Sequence, residues 1–572
     1  MRIVYTLLLA AVALAQTPAE KKPAIVEGKV TNSVTGEAIR KADLTLTTSL
    51  MPDGFDGLAA NMGAMLGLDP EPDAKAPDPK PKEPKKTFAA TTDASGKFRI
   101  EGIDPGNYYF KVKRTGFVEQ TYKPASANLV EGMLHLTAGQ ELLSVEFRLV
   151  PQGAVAGKVV DEDGDPVTDA MVTASKYSFA TGHRTLQPAD TGQVNDRGEF
   201  RLGKLPPGRY YLSAEVLAIA AMGSPAPPPP KDGGPETGYV ATYFPRTIDV
   251  ADAEPIEVKP GADLPGFVIH MQKSRVVRVK GNLVGADGKP LKQAQVMLMS
   301  GARPGSMRMA SVNDPEGKFE IANVAPGTYM AMTMQLFGGA TAGSPTMTMQ
   351  TLIVPSENLA DVKLGTAPEA TLSGKITVAS DSKVALKGIS VMLEGDEAGP
   401  TMPSTARVDE SGSFTLKKVA TTKYQVSVTG IPTGAYLKSV QWNGREKLGE
   451  AIDFSAGVSG DLVVTLGTDG AAFDAKVTNG DKPVADATVV LLPEDAAHRN
   501  SHTTHQESTD DAGHAAFKDV PPGNYLAFAW EKVEEGDWFD PVFVKAAAND
   551  GVRVTLGSKD NQHQDLKIIP AK

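Results

Sequence analysis

The stretch HRNSHTTHQESTDDAGH sets His498, His502, His505 and His514 beside Asp510 and Asp511. Imidazoles and carboxylates at that density are the donor types of a zinc or copper site. The spacings match no known zinc or copper frame, however. A solvent-exposed polar loop is the favoured reading, with a metal site as the alternative. DEDGD at 161–165 is similar to a fragment of a calcium loop, but the later Glu of an EF-hand is missing. Its position in the chain is that of an ordinary turn.

A second kind of chemistry is recognition by aromatic rings. EEGDWFDPVF sets Trp538 and Phe539 between Asp537 and Asp540, VQWNGREKL sets Trp442 beside Asn443 and Arg445, and GYVATYFPRTIDV carries Tyr243 and Phe244. Rings that stack on sugar faces beside groups that hydrogen-bond hydroxyls would form a carbohydrate site. The candidate ligand-binding residues are therefore Trp442, Asn443, Trp538, Phe539, Asp540, Tyr243 and Phe244. Packing against a core is the competing role at every aromatic position.

Catalytic signatures are lacking. The chain has no Cys, which removes thiol nucleophiles and disulfides. It also has no His-Glu-x-x-His, no Gly-x-Ser-x-Gly elbow and no phosphate-cradling Gly-rich loop. Its carboxylates sit in turns and on solvated faces. The expectation is a protein that is not an enzyme and uses no metal or other cofactor. A formal net charge of −11 over 572 residues argues against a nucleic-acid partner, because phosphate binding needs a basic face.

The first residues, MRIVYTLLLAAVALAQ, combine one basic residue, an apolar run and small residues at Ala13 and Ala15. This is the pattern of a signal peptide cut after Ala15, which places the mature chain in the periplasm or outside the cell. No Cys follows the run, so a lipid anchor is not expected. No later segment has the roughly 18 apolar residues of a transmembrane helix.

The elements that would position any site are repeated. DASGKFRIEGIDPGNYYFKV from Asp93, NDRGEFRLGKLPPGRYYLSA from Asn195, DPEGKFEIANVAPGTYMAMT from Asp314, DESGSFTLKKVATTKYQVSV from Asp409 and DDAGHAAFKDVPPGNYLAFA from Asp510 are variants of one unit. A Gly precedes a Tyr by twelve residues each time, from Gly96 and Tyr108 to Gly513 and Tyr525. The leading Asp or Asn with the Gly reads as a tight turn. The alternation after it reads as a strand with one buried face. Pro-Gly fits the centre of a type II turn closing a hairpin, and Tyr opens the second strand. The fourth copy has Thr421-Thr422 in place of Pro-Gly and keeps Tyr424.

Each such pair is preceded by strand, polar turn, small residue and strand, with Ala42, Ala170, Ala294, Gly388 or Ala487 at the small position. A larger side chain there is expected to clash with the facing sheet. Closing strands such as SVEFRLVP and GFVIHMQ lead almost directly into the next unit, so a string of sandwiches with restricted hinges is expected. Two inserts interrupt the pattern, the Pro-rich charged segment 69–86 and GSPAPPPPKDGGP at 223–235. In the fifth unit YLAFAW is apolar on both faces, so its second face should be covered by the following loop, a neighbouring unit or a partner, with cover from within the chain the favoured case.

GKVVDEDGDPVTDAMVTA together with NDRGEFRLGKLPPGRYYLSA resembles the carboxypeptidase regulatory-like domain, a transthyretin-like β-sandwich related to carbohydrate-binding folds. The resemblance implies an all-β chain of five tandem transthyretin-like β-sandwich domains after the signal peptide 1–15. Their bounds are 24–151, 152–273, 274–366, 367–468 and 469–572. The family's zinc-binding His-x-x-Glu pair is absent from the eight histidines. The expected function is a non-catalytic exported binding or scaffold protein at the cell envelope, with carbohydrate the favoured ligand class and an envelope protein the other partner. An adhesin-like stalk and an accessory subunit of a separate enzyme are the alternatives.

Overall fold

The five turns that open the repeat share one geometry in the computed structural model. The oxygens of Asp93, Asn195, Asp314, Asp409 and Asp510 each accept from two backbone amides, two and four residues on, at 2.8–3.4 Å. The glycine three residues after each stands at a φ of 70–83°. A Cβ there would also press on a first-strand carbonyl, that of Val159 for Gly198, so close approach and positive φ both demand Gly.

The structure describes residues 22–48, 86–122, 133–179, 184–216, 228, 234–285, 288–291, 294–365, 370–379, 384–395, 403–419, 422–454 and 457–570, except 301–305 and 336–345. The expected signal peptide, nearly all of the first insert and most of the second lie outside the described residues.

The Pro-Gly segment is not the turn of a hairpin. In the second unit, strand Glu199–Leu205 pairs with Gly153–Val160, while Gly208–Val216 pairs with Ala170–Ser178 in a different sheet. Pro-Gly therefore carries the chain across the sandwich from one sheet to the other. Nor is it a type II turn: Gly106 and Gly523 do not enter positive φ, and Gly208 and Gly327 lie near the extended region at 157° and 150°. Two-residue hairpins need turns whose twist matches the strands, and an L-Pro-Gly type II turn would splay them.

What fixes the crossing is the Tyr. Its ring is buried in all five units. In four of them its hydroxyl donates to the carbonyl four residues back: Tyr108 to Asp104, Tyr210 to Pro206, Tyr329 to Ala325 and Tyr525 to Pro521, at 2.6–2.8 Å. This is the logic of a tyrosine corner.

Each unit has the same two layers. In one sheet the first strand lies between the post-turn strand, antiparallel, and the closing strand, parallel; in the second unit these are Gly153–Val160, Glu199–Leu205 and Asp263–His270. The other sheet centres on the second strand and the Tyr strand, with an edge strand before the turn. Five apolar cores fill the spaces between layers, drawn from residues 24–149, 155–271, 277–364, 372–466 and 471–566.

A glycine in the first strand marks a bulge. The closing strand gains one residue opposite Gly28, Gly157 and Gly281. A Cβ at these sites would fall on the carbonyl oxygens of Val145, Phe267 and Val362. In the fourth and fifth units the parallel ladder runs without a shift: the fourth keeps Gly374, where a Cβ would meet the Phe414 ring, and the fifth has Ala475.

The small-residue rule holds at Ala42, Ala170, Ala294 and Ala487, all buried. It fails in the fourth unit. Gly388 is exposed at a φ of 98° with open space at its Cβ, and Ile389, fully buried, takes the equivalent site. The Val408 amide donates to the Ile389 carbonyl as Val194 does to Ala170, which fixes the correspondence. The facing layer there accepts a full aliphatic side chain.

Candidate functional site

The second face of the fifth unit's YLAFAW strand is covered from within the chain, as its two-sided apolar pattern predicts. Val490, Leu492, Phe528 and Trp530 form a second core with Trp538, Val544 and Ala547 from the following segment. Phe528 and Trp530 stack at 5.0 Å. The lid is a 3-10 turn, Asp537–Phe539, and a short helix, Pro541–Ala546, capped by Asp540, whose Oδ1 accepts from the Val542 amide at 2.8 Å. Trp538 is 4% exposed and its Nε1 is buried with no hydrogen-bond partner. Phe539 packs on the same cluster. Burial beside Glu534 pushes the Asp537 carboxyl up to about 6.

The other aromatic candidates also have packing partners. Trp442 lies edge-on to Phe454 at 5.2 Å and covers Gly460. Asn443 and Gly444, at φ 50° and 76°, form the two-residue turn between Tyr436–Trp442 and Arg445–Glu446. Positive φ at both positions is the type I′ signature that Asn-Gly favours. The Asn443 amide oxygen also accepts from Asp461 N at 2.9 Å. Tyr243, 1% exposed, packs with Tyr211 and Ala253 on the outer side of its sheet, whereas Phe244 turns into the main core against Phe267 at 5.3 Å. Neighbours in sequence, these two rings point to opposite sides and do not form one platform.

The histidine stretch is dispersed. His498 Nδ1 lies 2.9 Å from Asp495, and His502 Nε2 lies 3.7 Å from Glu394 of the fourth unit, with burial lowering its pKa. His505 sits edge-on to Tyr525 at 6.2 Å, and burial drives its pKa down to about 4. His514 joins a group that spacing alone does not show: its Nδ1 and that of His563 lie 3.1 and 2.7 Å from one oxygen of Asp474. Three adjacent strands bring these together. Among the described residues no group of three His, Asp or Glu side chains is placed to hold a metal ion. DEDGD is a turn, with Asp161 Oδ1 accepting from the amides of Asp163 and Asp165.

The most deeply buried charges lie where units meet. Arg308 Nη1 pairs with Glu215 at 2.5 Å, both under 10% exposed, and Ser306 donates to the same carboxylate. Arg278, 4% exposed, pairs with Glu236 and Glu320. Both sets tie residues before 240 to residues after 275. The fourth and fifth units are joined by Gly434 N to Asp519, Tyr436 Oη to Asp469 and Asn500 to the Gly449 carbonyl. Lys176 of the second unit pairs with Glu534 of the fifth at 2.6 Å, so the array folds back instead of running as an open string. Sequence reasoning missed the buried arginine pairs, because no local pattern marks them and the partners lie up to 93 residues apart.

No family model and no curated protein sequence matches the chain. Solved structures similar to it include bacterial pilins. The Bacillus anthracis TIE protein matches at 13% identity over 74% of this chain and 75% of its own, with a TM-score of 0.16. A streptococcal ancillary pilin matches at 14% over 61% and 100%, with a TM-score of 0.15. The minor pilin GBS52 of Streptococcus agalactiae matches at 12% over 44% and 96%, with a TM-score of 0.21. Likenesses at this level carry no functional meaning. The finding that stands is the chain's own architecture, all-β sandwiches in tandem.

Proposed function

We propose that this chain is a non-catalytic, exported scaffold of five domains related to the carboxypeptidase regulatory-like family, binding an envelope protein through its outer sheet faces and loops. The observation that carries the reading is how the repeat is used. Its recurrent Asx turn, Gly and Tyr all serve the fold, while buried ion pairs hold the second and third units together and hydrogen bonds join the fourth and fifth. Such a body presents surfaces at set distances, which suits adhesion or assembly. The aromatic residues first considered for sugar stacking have their rings in cores or against neighbours, so protein is the favoured partner class over carbohydrate. Export through residues 1–15 belongs to the same reading.

The test is retention of the immobilised chain's envelope ligand after selective treatment. Envelope fractions digested with protease should lose binding, and fractions oxidised with periodate should keep it. Loss on periodate with survival of protease would overturn the protein-partner reading in favour of glycan.

A further inference from the structure

The sheet built on the second strand exists five times, and its outward positions can be compared row by row. In the first unit Thr45 lies between Ala89 and Lys111, and in the second Thr173 lies between Thr191 and Ser213. In the fourth Met392 lies between Thr405 and Ser427. In the fifth Val490 lies between Gln506 and Phe528, under the lid. The third unit differs from all of these. Met297 lies between Met309 and Met332, and two residues on, Met299 lies between Met307 and Met330.

Six methionines thus occupy two adjacent rows of three on one face. All are partly or nearly buried, and none belongs to the unit's core. The core side of the same strands is built from Ala294, Val296, Leu298, Val312, Tyr329 and Ala331, so the strands are not generally rich in Met. A face that needed only apolar cover could use any of those types. Six thioethers in six positions point to sulfur.

Directly opposed residues in antiparallel strands hold their Cβ atoms about 4.5–5.5 Å apart. A Met side chain has three rotatable bonds beyond Cα, enough for the three sulfurs of a row to converge on one point above the central strand. Thioether sulfur is neutral and soft. It is a poor ligand for calcium, magnesium or zinc and a good one for Cu(I). It also has no proton to lose on binding. In a chain without Cys it is the only sulfur donor.

We propose that this face of the third unit binds a soft monovalent cation, Cu(I), through Met297, Met309 and Met332, with a second ion held by Met299, Met307 and Met330. The probes are Ag(I), titrated calorimetrically in chloride-free buffer, and Cu(I), competed anaerobically against a chromophoric chelator, both with the full chain. Two equivalents should bind, with affinity unchanged between pH 7.5 and 5.5. The Met297→Leu/Met299→Leu variant conserves volume and should keep the wild-type melting midpoint while affinity falls at least tenfold. If that variant does not fold, Met309→Leu/Met332→Leu serves the same purpose. Wild-type affinity in a folded variant would overturn the proposal. So would binding that disappears by pH 5.5, which would assign the ion to histidines.

Discussion

The phenol of Tyr210 donates to the carbonyl oxygen of Pro206 at 2.6 Å, closing the corner by which the chain passes from one sheet of the second unit to the other. The ring is fully buried, and burial raises its pKa to about 12. Tyr210→Phe keeps the ring and removes the bond. It should cost about 1 kcal/mol. Because a chain of several units does not unfold in one step, the readout is local: faster hydrogen exchange in Gly208–Val216, with the corners at Tyr108, Tyr329 and Tyr525 unchanged.

Gly157 and Ala475 occupy equivalent first-strand sites with opposite tolerances. Gly157→Ala would drive a methyl onto the Phe267 carbonyl at the bulge and should destabilise the second unit by about 1–3 kcal/mol. Ala475→Gly should cost only about 0.5–1 kcal/mol, the ordinary penalty of Gly in a strand. Similar losses from both substitutions would show that the bulge is not what demands Gly.

Arg308 and Glu215 are buried together where the second and third units meet. Arg308→Met leaves the carboxylate buried without that cation and should cost about 3–5 kcal/mol. Arg308→Met with Glu215→Met should recover most of the loss, because two desolvated charges disappear at once. Limited proteolysis between the two units would report the loosening in the single variant and its reversal in the double.

His505 and Glu507 lie on the core side of one edge strand, opposite Leu491 and Val489, and burial shifts them in opposite directions. The His505 pKa falls from 6.5 to about 4, so its contribution is intact above pH 6.5 and is lost as pH drops towards 4. In full this amounts to about 3 kcal/mol. Glu507 rises from 4.5 to about 7, so its contribution is intact below 4.5 and is lost as pH climbs to 7. It is smaller because water still screens this half-buried group. In a Trp442→Phe background the remaining tryptophans report the fifth unit's stability. There, His505→Leu should flatten the acid limb and Glu507→Gln the neutral one.

Much of the fold was legible because the repeat exposes its own constraints. Asp93 and Gly96, recurring at one spacing, can only be a turn, and alternation gives every strand a buried face. Pairing was not legible. Phe200 and Tyr210 each announce a face, but nothing local says that their strands belong to different sheets. Pro-Gly invited the hairpin reading until the tyrosine hydroxyl is seen to bridge the corner. For the candidate site, the residues that attract attention by type, Trp442 and Trp538, turned inward, and Asn443 forms an Asn-Gly turn that the sequence reading passed over in favour of a ligand role. The methionine rows were present in the sequence as alternate residues, Met297 and Met299, Met307 and Met309. Their alignment into one surface depends on register across three strands.

The parallel pairing of first and closing strands, common to all five units, has a mechanical meaning. The chain enters a unit at one end of that ladder and leaves at the other, as Gly153–Val160 and Asp263–His270 show. Tension between the ends of a unit therefore shears the whole ladder at once and does not peel it one hydrogen bond at a time. The rupture rate then follows the barrier for breaking many bonds together. Each unit can therefore carry pull between its own two ends while its second sheet, outside the line of force, keeps its shape.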